Sequence, residues 1–107
     1  MNRSSVLLTQ EMRGFILKFM KDTYPHGITL KLIEALLPPW GYFVTQVEIR
    51  AAAVYLINHG LAETRMPLPA DMNSVTQLFL TAKGHGVFSS QAVGDLEIIL
   101  PREHAQV

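Results

Sequence analysis

Met12, Phe15, Ile16, Phe19 and Met20 recur at three- and four-residue steps, the spacing of a helix with one buried face. The pattern predicts a helix over residues 9–22, with Thr9 as N-cap and Tyr24-Pro25-His26-Gly27 as its stop. A shorter helix follows over 30–37, capped by Thr29. Leu30, Ile33, Leu36 and Leu37 lie on its inner side, and Pro38-Pro39 ends it. Trp40-Gly41-Tyr42-Phe43 reads as an aromatic turn. The third helix, 46–59, has the best local signals. Thr45-Gln46-Val47-Glu48 is a capping box and Gly60 suits a left-handed stop, while Ile49, Ala52, Ala53 and Leu56 share a face.

The period then changes. Leu61 to Arg65 and Val75 to Leu80 read as two strands of a hairpin. Met66 to Asn73 is the loop between them, since its two prolines exclude a central strand. Thr81 opens a fourth helical segment that runs to about Ser90. Asp95 to Leu100 is a further strand or an extended tail, and Pro101 to Val107 is a polar end. Phe15, Ile16, Phe19, Ile33, Leu36, Ile49, Leu56, Leu61 and Phe79 form the expected core. The fold class is α+β in a single domain, 1–107, with its core at about 9–90 and a tail at 95–107.

Composition narrows the function classes. Of 107 residues, 49% are hydrophobic and 17% charged, which fits a folded domain and excludes intrinsic disorder. Nine basic residues balance nine acidic ones, which argues against a strongly basic nucleic-acid coat protein. No apolar run is long enough to span a membrane. Glu11, Arg13 and Lys18 interrupt any signal-peptide core, so the expected location is the cytoplasm. With zero cysteines there is no disulfide framework and no cysteine-based zinc site.

Three helices followed by a strand-loop-strand hairpin is the winged helix-turn-helix order. His59-Gly60-Leu61-Ala62 and Leu80-Thr81-Ala82-Lys83-Gly84 resemble the paired signature that opens and closes the wing in many bacterial regulators. With Val44-Thr45 and Ile49-Arg50, these residues are similar to small arsenic-repressor-like winged-helix proteins of Mu-like phages and prophages. The resemblance covers roughly residues 10–90. It implies three helices, a two-stranded wing, a C-terminal helical segment and DNA as the partner. The third helix would enter the major groove, and wing residues would touch phosphates. On that reading Thr45, Gln46, Arg50, Arg65 and Lys83 are the candidate DNA contacts. The expected function is transcriptional regulation.

The helix phase carries a competing expectation. Val47, Ala51, Val54 and Tyr55 fall opposite the inward face, and a helix apolar on all sides is usually covered on all sides. The cover must come from the C-terminal segment or from a second chain, and a homodimer is the expectation, either through these four residues or through the first helix, since small winged-helix proteins often pair through terminal helices. The rival function is therefore a protein-interaction module with a phage or host protein as partner.

Catalysis has no candidate, and the chain is read as a non-enzyme without metal or cofactor. His26, His59, His85 and His104 lack the spacing of a helical metal pair, and the cysteines of arsenic-repressor metal sensors are missing. Lys83-Gly84-His85-Gly86 is not a phosphate loop, and Ser89 and Ser90 lack an elbow motif. Asp95 and Glu97 read as solvated. Trp40, Tyr42 and Phe43 could stack on bases, but no basic residue lies between Lys31 and Arg50, so core packing is the expectation.

Overall fold

The computed structural model describes residues 2–65, 72–90 and 97–101. The elements run α1 (Asn2–Thr23), β1 (Ile28–Thr29), α2 (Leu30–Leu36), α3 (Gln46–Asn58), β2 (Ala62–Glu63), β3 (Gln77–Leu80) and α4 (Ala82–Ser90). A 3₁₀ turn, Pro38–Trp40, separates α2 from α3. Among the described residues the architecture is α+β, with four helices and a small antiparallel sheet of order β1-β3-β2.

The expected hairpin pair forms, with Ala62 opposite Leu80 and Glu63 opposite Phe79. Its strands are shorter than Leu61–Arg65 and Val75–Leu80, and there is a third strand. Ile28 pairs with Leu78 and Thr29 with Gln77. This edge also fastens α2. The Leu30 and Lys31 amides donate to the Thr76 and Ser74 carbonyls at 3.2 and 2.8 Å, and the Leu32 amide donates to Thr29 Oγ1 at 3.0 Å. The first free amides of the helix are thus satisfied partly by the backbone of the turn that leads into β3. The loop segment 66–71 and the tail beyond 101, His104 included, lie outside the described residues, as do Asp95 and the side chain of Ser90.

α1 starts at Asn2, so Thr9 sits inside the helix and is not its N-cap. The earlier start is invisible to periodicity because Val6, Leu7 and Leu8 are consecutive and all exposed. The core joins α1, α2, α3 and the inner face of β3. Ile16, Leu17, Ile33, Ile49, Leu56 and Leu61 are wholly buried, and Phe15 and Phe19 nearly so. Two expected core residues are only half-buried. Leu36 packs at the edge of the cluster. Phe79 faces the outer side of β3, where Arg65 rather than the core covers its ring. Thr76, Leu78 and Leu80 take the buried side.

The Gly60–Leu61 and Leu80–Gly84 stretches dock on one another. Gly60 holds φ 74°, a conformation glycine adopts without penalty. Thr81 Oγ1 donates to the Gly60 carbonyl and accepts from the Gly84 amide at 2.9 Å, which caps α4. A Cβ on Gly84 would meet the Leu61 carbonyl oxygen and stand 2.6 Å from Leu80 Cδ1, so only glycine lets α4 lie this close.

Residues 97–101 are neither helix nor strand. They cross α1 as a strap. The Ile99 amide donates to the Gln10 carbonyl at 3.1 Å, Arg13 Nη1 donates to the Glu97 carbonyl at 3.1 Å, and Ile98 is only 3% exposed. The strap passes over Gly14. Among the described residues no helix is long and apolar enough to cross a membrane.

Candidate nucleic-acid and protein interface

α3 owes its sharp start to Thr45. Thr45 Oγ1 accepts from the Glu48 amide, and Glu48 Oε1 accepts from the Thr45 amide at 2.9 Å. This reciprocal pair satisfies two amides that a helix start otherwise leaves free. The Thr45 hydroxyl is therefore engaged in the fold. Replacing Thr45 with alanine should lower stability by about 1 kcal/mol, read as a shifted urea midpoint at unchanged slope. A loss near zero would mean the cap carries no weight.

Gln46 is turned inward as well. Its Nε2 donates to the Leu30 carbonyl at 3.2 Å and to Glu34 Oε1 at 2.6 Å, which ties α3 to α2. Arg50 is exposed on the same flank, and one of its nitrogens, Nη1, donates to the Met72 carbonyl at 3.3 Å. Arginine has five N–H donors, so this bond positions the guanidinium without exhausting it. Arg65 follows β2, and its guanidinium lies 3.8 Å from the centroid of the Phe79 ring, a cation–π distance. Lys83 stands in the first turn of α4, with Cδ 3.5 Å from where a Cβ on Gly60 would be. That puts it at the C-terminal end of α3, where a cation complements the helix dipole. The five candidates thus divide into two held within the fold and three cations on separate elements.

The four candidate interface residues divide too. Val47 is 65% exposed and Ala51 is also exposed. Val54 and Tyr55, expected to face away from the core, are half-buried and pack against it. The same chain supplies the cover for Tyr55. Arg13 of α1 places its guanidinium 3.7 Å from the Tyr55 ring centroid, and the His59 ring stacks on Tyr55 at 4.1 Å. The strap reinforces this through the Glu97 carbonyl that holds Arg13.

The aromatic turn meets the expectation of core packing only in part. Trp40 and Tyr42 lean on Phe15, with centroids 5.0 and 5.3 Å apart, but Trp40 remains exposed and Tyr42 half-buried. Phe43 is 82% exposed. Burial alternates over residues 42–44, with Tyr42 and Val44 turned in and Phe43 turned out. Tyr42 Oη donates to Glu11 Oε1 at 2.5 Å. Burial, reinforced by this bond and by the Glu11 charge, pushes the Tyr42 hydroxyl well above the ordinary tyrosine range. It stays protonated and acts as a donor.

Phe43 stands at the edge of a groove of about 400 Å³ between α1 and the turn that leads into α3. Its exposure was missed because aromatics in a turn read equally well as a seal. Among the described residues, no three histidine, cysteine or acidic side chains come close enough to hold a metal. His85 lies edge-on to Tyr24 at 4.3 Å, and His26 is exposed. Comparison with family models, with curated proteins and with solved structures finds no match.

Proposed function

We propose that the protein is a small winged-helix DNA-binding protein of the regulator type, with α2 and α3 as the helix-turn-helix and β2–β3 as the wing. One observation carries this reading. α3 is open to solvent along Val47 and Ala51, and Arg50 on its flank is bonded to Met72, where the chain returns from the segment joining β2 to β3. Helix and wing then lie side by side, as one duplex needs. Thr45 and Gln46 serve the fold, so contact falls to Arg50, Arg65 and Lys83. Arg50 can reach a base edge, and the other two fit phosphates. On the resemblance to proteins of Mu-like phages and prophages, the first operator to try is the DNA beside the protein's own coding sequence.

Three phosphate contacts give a salt slope of only about −2.7 per chain. Electrophoretic mobility shift should therefore show a complex at low salt that fades at moderate salt. Alanine at Arg50, Arg65 and Lys83 together should abolish it. Unchanged affinity in that triple variant would remove the site assignment.

A second reading is favoured by the outermost line of α3, where Val47 and Ala51 are apolar and no polar side chain precedes them unengaged. Such a face suits a phage or host protein better than a base edge. Absence of any shift at low salt supports this reading over the first.

A further inference from the structure

We propose that α3 recognises thymine by its methyl group, and that Val47 and Ala51 set this preference. The inference rests on the DNA reading above and gives that site a base specificity. Val47 is 65% exposed, and Ala51 is exposed one turn later. Four residues apart, they stand about 40° from one another around the helix and about 6 Å apart along it. Arg50 is exposed on the other flank of Val47, about 60° away. The three form one face, with two apolar side chains and one cation. The polar neighbours at the helix start are turned from it. The Gln46 amide bonds to the Leu30 carbonyl and Glu34, and Glu48, the one acid of α3, folds its carboxylate back on the Thr45 amide at 2.9 Å.

The major groove offers an apolar side chain one partner. Adenine, guanine and cytosine present hydrogen-bond donors and acceptors there, whereas thymine adds its C5-methyl group. A donor or acceptor covered by Val47 loses its water and gains no partner, which is unfavourable. A methyl group in the same place leaves water favourably. The face therefore attracts one base and disfavours the rest. The 6 Å between Val47 and Ala51 is close to two base-pair steps of about 3.4 Å, so two thymines at that spacing fit one chain. Arg50 fits the O6 and N7 atoms of a guanine beside them. Its bond to the Met72 carbonyl at 3.3 Å fixes its direction and leaves donors to spare.

The apolar line that speaks for a protein partner thus has a partner inside a duplex as well. Charge favours the duplex. Arg50 lies on the same face, and Arg65 and Lys83 stand on the neighbouring elements, which complements a phosphate backbone.

Uracil tests the inference, because it pairs as thymine does and lacks only the methyl group. The full chain, at low salt, selects sites from a random-sequence duplex pool, and the enriched duplex is remade with uracil in place of thymine. The thymine duplex should bind roughly 4-fold more tightly for each methyl covered, about 15-fold for two. Val47→Ser/Ala51→Ser changes exposed positions only, and circular dichroism checks that it folds. This variant should bind both duplexes as the wild type binds the uracil one. Equal binding of the two duplexes by the wild type overturns the methyl inference and leaves the DNA reading standing. So does a thymine preference that survives the double variant, since the methyl groups would then be read from elsewhere. A variant that binds neither duplex overturns it too, because the two side chains would then do more than meet methyl groups. No enrichment and no complex at low salt overturns the DNA reading and this inference together.

Discussion

Replacing Leu56 with alanine should cost about 3–5 kcal/mol of unfolding free energy, the upper part of the range for an emptied core leucine site. Leu56 is wholly buried on the inner face of α3. The cost depends on how far the surroundings can close the gap. On that face its neighbours one turn back are Ala52 and Ala53, both buried. Their methyl groups are too short to swing into the space, and shortening Leu56 leaves three alanines in succession along the stripe. The next large side chain on the face is Ile49, two turns away. A small domain has only about 5–15 kcal/mol in hand, so this single change should bring the protein close to unfolding. Urea denaturation followed by circular dichroism checks it. A loss below about 1 kcal/mol would mean that Leu56 does not support the packing of α3.

The parts of the fold legible in the sequence are those set by neighbours a few residues apart. Thr45 and Glu48 cap α3 through atoms three residues apart. Gly60 and Thr81 were readable for the same reason, as a helix stop and a helix start, although their mutual hydrogen bond was not. Elements that exist only through distant partners were silent. β1 is two residues long and has no period to detect; it forms because β3 offers an open edge at Gln77 and Leu78. Phe79 shows the limit of alternation. Period two separated the faces of β3, but only the position of Arg65 and of the Gly27 backbone says what covers the outer one. A Cβ on Gly27 would stand 2.7 Å from Phe79 Cζ, so the ring lies across that glycine on the solvent side of the sheet.

The candidate site was less legible than the fold, for a related reason. Residue type showed that Gln46 and Thr45 could contact DNA, but not that each has a nearer partner. Glu34 and the Leu30 carbonyl hold the Gln46 amide, and Glu48 holds the Thr45 hydroxyl and amide. The helix phase placed Tyr55 outward, whereas it is half-buried and packs against the core. It could not show that Arg13, from 42 positions earlier, lies over the ring. A cation from α1, held by the strap, covers Tyr55, while Val47 and Ala51 stay exposed.

Gly14 should respond to alanine with the opposite sign from a glycine in an open helix. In a helix interior, glycine to alanine is worth about 1 kcal/mol of stabilisation from propensity alone. At Gly14 the added Cβ would meet the Ile99 carbonyl oxygen and stand 2.7 Å from its carbon. Both contacts are backbone, so no side chain can rotate away, and the strap must lift. Lifting it breaks the Ile99–Gln10 and Arg13–Glu97 hydrogen bonds and uncovers Ile98. The strap also carries Glu97 at φ 53°, a left-handed conformation that costs a non-glycine residue about 1 kcal/mol. Its hold on α1 is therefore modest, and its release should be local. Gly14→Ala should lower stability by about 1–3 kcal/mol net. Ile98→Ala alone should cost about 2 kcal/mol. If both act by freeing the same strap, their effects cannot add. In the Gly14→Ala background Ile98→Ala should cost almost nothing, a coupling of about 2 kcal/mol in a double-mutant cycle. Full additivity, or a stabilising Gly14→Ala, would show that the strap does not rest on α1 and that Gly14 is placed there for some other reason.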